Sequence, residues 1–107
     1  MTAPQTVSFT CESNTEAEVI HLAVRRYGNF LQGEGVDTRN YMPAGPEGAG
    51  FGWDAVRRAA DGMHAGSVTH MSRRMLLCIS DALRPALGWA ESRTAVAILD
   101  RIDSLAH

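Results

Sequence analysis

Ser67–Arg84, SVTHMSRRMLLCISDALR, is the stretch on which the fold of this chain turns. Met71, Met75, Cys78, Ile79 and Ala82 recur at helical spacing, Leu76 and Leu83 widen that stripe, and Leu77 lies nearly opposite it. Ser67 supplies an N-cap residue type at one end. At the other, Pro85 disfavours helical geometry in the residue before it. The stretch therefore reads as one helix over about 67–84. An apolar surface covering more than half of its circumference places such a helix at the centre of a fold, or shares it with a partner.

Working outward, residues 6–12, TVSFTCE, alternate with a period of two. Val7, Phe9 and Cys11 face one way, Thr6, Ser8, Thr10 and Glu12 the other, which is the pattern of a half-buried strand. A strand with no neighbour leaves its amides and carbonyls unpaired. Its expected partner is the segment around Thr38–Met42, or the same strand of a second molecule. A helix over about 15–32 follows. Thr15 and Glu18 have the spacing of a capping box. Ile20, Ala23, Val24, Tyr27 and Leu31 line its inner face, with Phe30 at the edge. Trp53, Val56, Ala60 and Met63 mark a further helix over about 53–64. Ala95, Ile98, Leu99, Ile102 and Leu105 mark the last, over about 92–105. Between the first two helices, residues 32–52 hold six glycines and two prolines; an irregular segment of that length in a compact domain is either functional or disordered.

The expected fold is thus α+β and mostly α: one N-terminal strand and four helices in a single domain spanning residues 1–107, with a Gly/Pro-rich loop at 32–52. A chain of 107 residues can bury one real core without disulfides or metals. Its 45% apolar and 21% charged residues are those of an ordinary globular protein. The net charge of −2 argues against a dedicated nucleic-acid binder. No uninterrupted apolar run reaches the roughly eighteen residues that span a bilayer. MTAPQTVSFT lacks the charged and then apolar regions of a signal peptide, so the expectation is a cytoplasmic protein without membrane contact. Cys11 and Cys78 have no metal-ligand spacing and read as small buried hydrophobes in a reducing compartment.

Little chemistry is announced. Gly48–Gly52 leads into a helix, but the strand–loop–helix context of a phosphate-binding motif is missing and the chain contains no lysine. Asp61 and His64 share a side of one helix without the three or four convergent ligands that zinc needs. No nucleophile motif of the GxSxG kind is present. The expectation is therefore no enzyme, no cofactor and no metal.

What stands out is arginine. All ten basic residues are arginine, as a GC-rich genome would write them, and six fall in the doublets Arg25–Arg26, Arg57–Arg58 and Arg73–Arg74. Asp54 and Asp61 stand at helical ion-pair spacing from Arg58 and Arg57, which accounts for the middle doublet. The other two have no carboxylate nearby in sequence. On the helix read over 67–84, His70, Arg74, Leu77, Asp81 and Arg84 fall along one seam opposite the core, and arginine beside exposed leucine is an interface composition. The candidate binding residues are accordingly Arg25, Arg26, His70, Arg73, Arg74, Leu77 and Arg84.

The functional expectation is a non-enzymatic binding protein acting through a protein–protein surface, with a protein partner and a homo-oligomeric state. Small chains of this motif-free kind are common among phage and mobile-element accessory proteins, including inhibitors of host defence. Nucleic-acid or nucleotide-like anion binding by the same arginines is the alternative, and a small enzyme using the glycine-rich loop comes after it.

Overall fold

The computed structural model describes residues 6–46 and 48–106. The chain runs β1 (Thr6–Thr10), α1 (Asn14–Gly33), a 3-10 turn at Thr38–Asn40, α2 (Trp53–Asp61), β2 (Val68–Ser72), α3 (Arg73–Leu83), a second 3-10 turn at Arg84–Gly88, and α4 (Ser92–Ala106). Four helices over a two-stranded antiparallel sheet give a mostly α, α+β fold.

Ser67–Arg84 is not one continuous helix. Val68–Ser72 is a strand, and α3 begins at Arg73 rather than Ser67. β2 pairs antiparallel with β1 in the register Thr6↔Ser72, Ser8↔His70 and Thr10↔Val68. The pairing continues past β1, because the Cys11 amide donates to the Ser67 carbonyl (3.0 Å) and the Gly66 amide to the Cys11 carbonyl (2.8 Å). The missing partner of the N-terminal strand therefore comes from neither residues 38–42, which form a 3-10 turn and its flank, nor a second molecule. Two local features explain the break. Val68 and Thr69 are β-branched and favour extended backbone. Ser72 then caps α3, its hydroxyl accepting the Met75 amide at 3.1 Å. Met71 is buried in both readings; in the strand it faces the core from β2.

The cap of α1 lies two residues before the Thr15 that the Thr15–Glu18 spacing suggests. Ser13 is the N-cap, its hydroxyl accepting the Glu16 amide at 3.1 Å, and the Glu16 carboxylate reaches back to the Glu12 amide at 2.9 Å. Serving as the return arm of this cap draws Glu16 inward, where it is one of two buried polar residues of the described chain. Arg101 of α4 meets it with two hydrogen bonds of 2.7 and 2.6 Å and donates also to the Thr10 carbonyl at 3.2 Å. The same guanidinium lies 5.4 Å from the Phe9 ring centre, so one side chain ties β1, α1 and α4 together.

The core is built from the inner faces anticipated above: Phe9 and Cys11 of the strand segment, Ile20, Ala23, Val24 and Leu31 of α1, Val56 and Ala60 of α2, Leu76, Cys78, Ile79 and Leu83 of α3, and Ile98 and Ile102 of α4. Leu77 is corrected in part, since it is half-buried and packed against this core. α2 ends at Asp61, short of the expected 64.

Residues 42–46 fold back against residues 48–51. Met42 and Phe51 exchange two backbone hydrogen bonds (2.9 and 2.7 Å), as do Gly45 and Gly48 (3.1 Å each). Two glycines make this possible. A Cβ at Gly50 would stand 2.6 Å from the Ala44 nitrogen, and one at Gly52 2.6 Å from the Arg39 carbonyl oxygen. No helix among the described residues is long and apolar enough to cross a membrane.

Candidate interaction surface

The two arginine doublets without sequence-local partners are not assembled into one face. Arg25 turns toward α2, 3.5 Å from Asp61. Arg26, one position on and about 100° around the helix, lies 4.6 Å over the ring of Trp89, beyond the second 3-10 turn. Arg74 points to the folded-back segment, donating to the Pro43 carbonyl at 2.6 Å and standing 5.9 Å from the Phe51 ring. Arg73 opens α3 and is half-buried. Arg84 stands 3.8 Å from Asp81 on its own helix end. His70 lies on β2, not on α3, and its Nδ1 is 2.8 Å from the Ser8 hydroxyl across the outer sheet face. Of the seam His70–Arg74–Leu77–Asp81–Arg84, only His70 is cut off, by the strand-to-helix junction at Ser72; Arg74, Leu77 and Asp81 keep their spacing on α3 and Arg84 caps its end. The middle doublet is also paired differently: Arg57 reaches Asp54 at 3.7 Å, and Asp61 is taken by Arg25.

What the tertiary structure does assemble lies around Arg26. Ala23, Arg26, Tyr27 and Phe30 of α1 face Ala82, Pro85 and Trp89 across an open groove of about 340 Å³. Phe30, on its rim, is 56% exposed, a large apolar surface left to water. Tyr27 continues the aromatic lining inward. Its ring centre is 5.9 Å from Phe30 and 5.3 Å from Trp53, and Trp53 meets Tyr41 edge-on at 5.1 Å. Trp53 is itself fixed by donating from Nε1 to the Val24 carbonyl at 3.1 Å. Gly28 leaves room for that indole, as a Cβ there would fall 2.6 Å from Nε1. Burial and the Tyr27 hydrogen bond push the Tyr41 hydroxyl well above its ordinary value. The aromatic row is anchored by the buried Trp53 and reaches the groove at Phe30 and Tyr27, opposite Trp89.

A second, more polar cleft of about 230 Å³ sits on the other side of α1, between Arg25, Asn29, Gln32, Thr38, Asp54 and Arg57. Both of its arginines already face carboxylates, which cancels much of the field an anion would feel. The nucleophile candidates are equally restrained. Burial pushes the Cys78 thiol up to about 12 and raises that of Cys11, so neither is a thiolate at neutral pH. Ser8 and His70 have the spacing of a nucleophile and base, yet among the described residues no third group orients the imidazole. Among the described residues no group of three or more His, Cys, Asp or Glu could hold a metal ion.

Sequence reasoning placed Arg26 among the candidates and Phe30 at a helix edge, but it missed Trp89, Pro85 and the groove between them. One signal was available: Leu22, Arg26 and Phe30 stand at i, i+4 and i+8, an apolar–basic–apolar row just outside the core face of α1. No family model, no curated protein and no solved structure matches this chain.

Proposed function

We propose that this chain is a non-enzymatic binding protein that takes an apolar anchor of a protein partner into the groove between α1 and the 84–89 turn. The observation that carries the reading is the Arg26 guanidinium stacked on Trp89 at the mouth of an aromatic groove whose rim, Phe30, is left exposed. Tryptophan, tyrosine and arginine are the residue types that dominate binding energy where they cluster around a concave site. A guanidinium over an indole also offers its edge to a carboxylate without losing its stacking partner. The charge pairing elsewhere weighs against an anion-binding role, since Arg25, Arg57 and Arg84 each stand near a carboxylate.

The test is recovery of the tagged protein from its native host, with and without nuclease, alongside Trp89→Ala. Trp89 is half-buried and packs against the edge of the core, so circular dichroism of the variant is the control for folding. Loss of the co-purifying protein with the variant, at unchanged circular dichroism, is the expected result. A partner retained by Trp89→Ala would place binding elsewhere. Retention only in the absence of nuclease, with a steep fall in added salt, would favour nucleic acid.

A further inference from the structure

We propose that a second copy of this chain docks on the outward ridge of α1, antiparallel, about a two-fold axis passing at Leu22. The inference goes beyond the groove reading and does not rest on it.

Glu18, Leu22 and Arg26 stand four residues apart in succession, which makes them one ridge of the helix. All three are exposed, Leu22 to 42%. Glu18 and Arg26 lie about 12 Å apart along the axis, two turns and beyond the reach of a pair within one helix. Among the described residues neither forms an ion pair: the Arg26 guanidinium has only the Trp89 face, and Glu18 has no basic neighbour within bonding range. Arg25, the other cation of this helix, is held by Asp61 and contributes little repulsion.

The order acid–leucine–base becomes base–leucine–acid when the helix is turned end for end. A copy so turned sets Glu18 opposite the partner's Arg26 and Arg26 opposite the partner's Glu18, with the two leucines in contact on the axis. That is the self-complementary patch a two-fold dimer requires. A parallel copy in register would set acid on acid and base on base. Ridges of this type cross at roughly −50°, so the contact is short. One leucine pair and two exposed ion pairs give a weak association, sensitive to salt. The interface shares Arg26 with the mouth of the groove, while Glu18 and Leu22 lie outside the groove lining.

Sedimentation equilibrium of the full chain tests this at low and high ionic strength, with circular dichroism to confirm folding. All three positions are exposed, so the variants fold. Wild type is expected to dimerise reversibly and more weakly in salt. Glu18→Arg sets base on base at both ends and Arg26→Glu sets acid on acid, so each alone weakens dimerisation by about tenfold or more. The double variant Glu18→Arg/Arg26→Glu recreates both pairs and restores the constant to within about threefold. A wild type monomeric at every attainable concentration overturns the proposal, as does a dimer indifferent to the reversals or a double variant as weak as the singles. Glu18 lies outside the groove, so Glu18→Arg weakens the dimer while capture of the partner protein through the groove is unchanged, and failure of one reading is distinguishable from failure of the other.

Discussion

Arg101→Met removes the one guanidinium that joins β1, α1 and α4, and its cost follows from what is left behind. The Glu16 side chain is 9% exposed and that of Arg101 28%. Methionine fills the volume of the aliphatic stem but strands a carboxylate in a nearly closed site, with the Glu12 amide as its remaining partner. Breaking a buried pair from one side costs about 3–5 kcal/mol. Water reaching the site through the space Arg101 occupied lowers this to about 2–4 kcal/mol. In a domain of this size that lowers Tm by about 8–15 °C, read by circular dichroism near neutral pH. Glu16→Gln strands the more exposed partner and retains an acceptor for the Glu12 amide, so it costs less than Arg101→Met. The double variant, with no buried charge to strand, is more stable than Arg101→Met alone. The pH dependence has a definite sign. Arg101 holds the Glu16 carboxyl below its usual value near 4.5, chiefly by hydrogen bonding. The unfolded chain thus takes up this proton at higher pH than the folded one, and the stabilisation is complete above that value and lost as pH falls through the folded one. The gap between wild type and Arg101→Met is therefore widest near pH 7 and narrows as the medium is taken to about pH 3. A gap below about 0.5 kcal/mol at neutral pH, or one that ignores acid, would refute the reasoning and make this an ordinary surface pair.

Three further outcomes are expected. Gly28→Ala and Gly33→Ala shift thermal stability in opposite directions: alanine gains up to about 1 kcal/mol of helix propensity at each site, but at position 28 its Cβ meets the packed Trp53 indole at 2.6 Å, an overpacking cost of about 1–3 kcal/mol. At position 33 it meets nothing within 4 Å. Arg74→Ala releases the Pro43 carbonyl and the Phe51 ring, so limited proteolysis at 43–46 accelerates while global stability falls by only about 1–2 kcal/mol. Iodoacetamide at about pH 8 modifies Cys78 far more slowly in the native protein than in the urea-unfolded chain, because burial keeps the thiol protonated as well as covered.

The helical periodicities were legible because they are local. Ile20, Ala23, Val24 and Leu31 face inward wherever the helix is placed, and so do Ile98 and Ile102. The N-terminal strand was equally plain in the alternation of Val7, Phe9 and Cys11. Its partner was not. Residues 68–72 show no apolar alternation, since Val68 faces outward and Met71 inward, and Met71 also begins the helical stripe. Hydrogen bonding to β1, about sixty residues away, selects the extended form. The glycine-rich segment failed to declare its order for a related reason. What fixes it is the close approach of backbone to Gly50 and Gly52 and the hold of Arg74 on Pro43, none of which leaves a periodic trace.

By itself, the sequence determined the class of fold, most of the inner face of each helix and the charge that is present, because these follow from side-chain periodicity and residue type along one segment; Leu105, read as inward, is exposed at the end of α4. Where each charge goes was decided only in three dimensions. Arg25 and Arg26 are neighbours in the chain, yet a rotation of about 100° per residue sends one to Asp61 and the other to Trp89. The groove likewise belongs to no segment. It exists because α1 packs beside the turn at 84–89, bringing Phe30 and Trp89 to opposite walls of one opening.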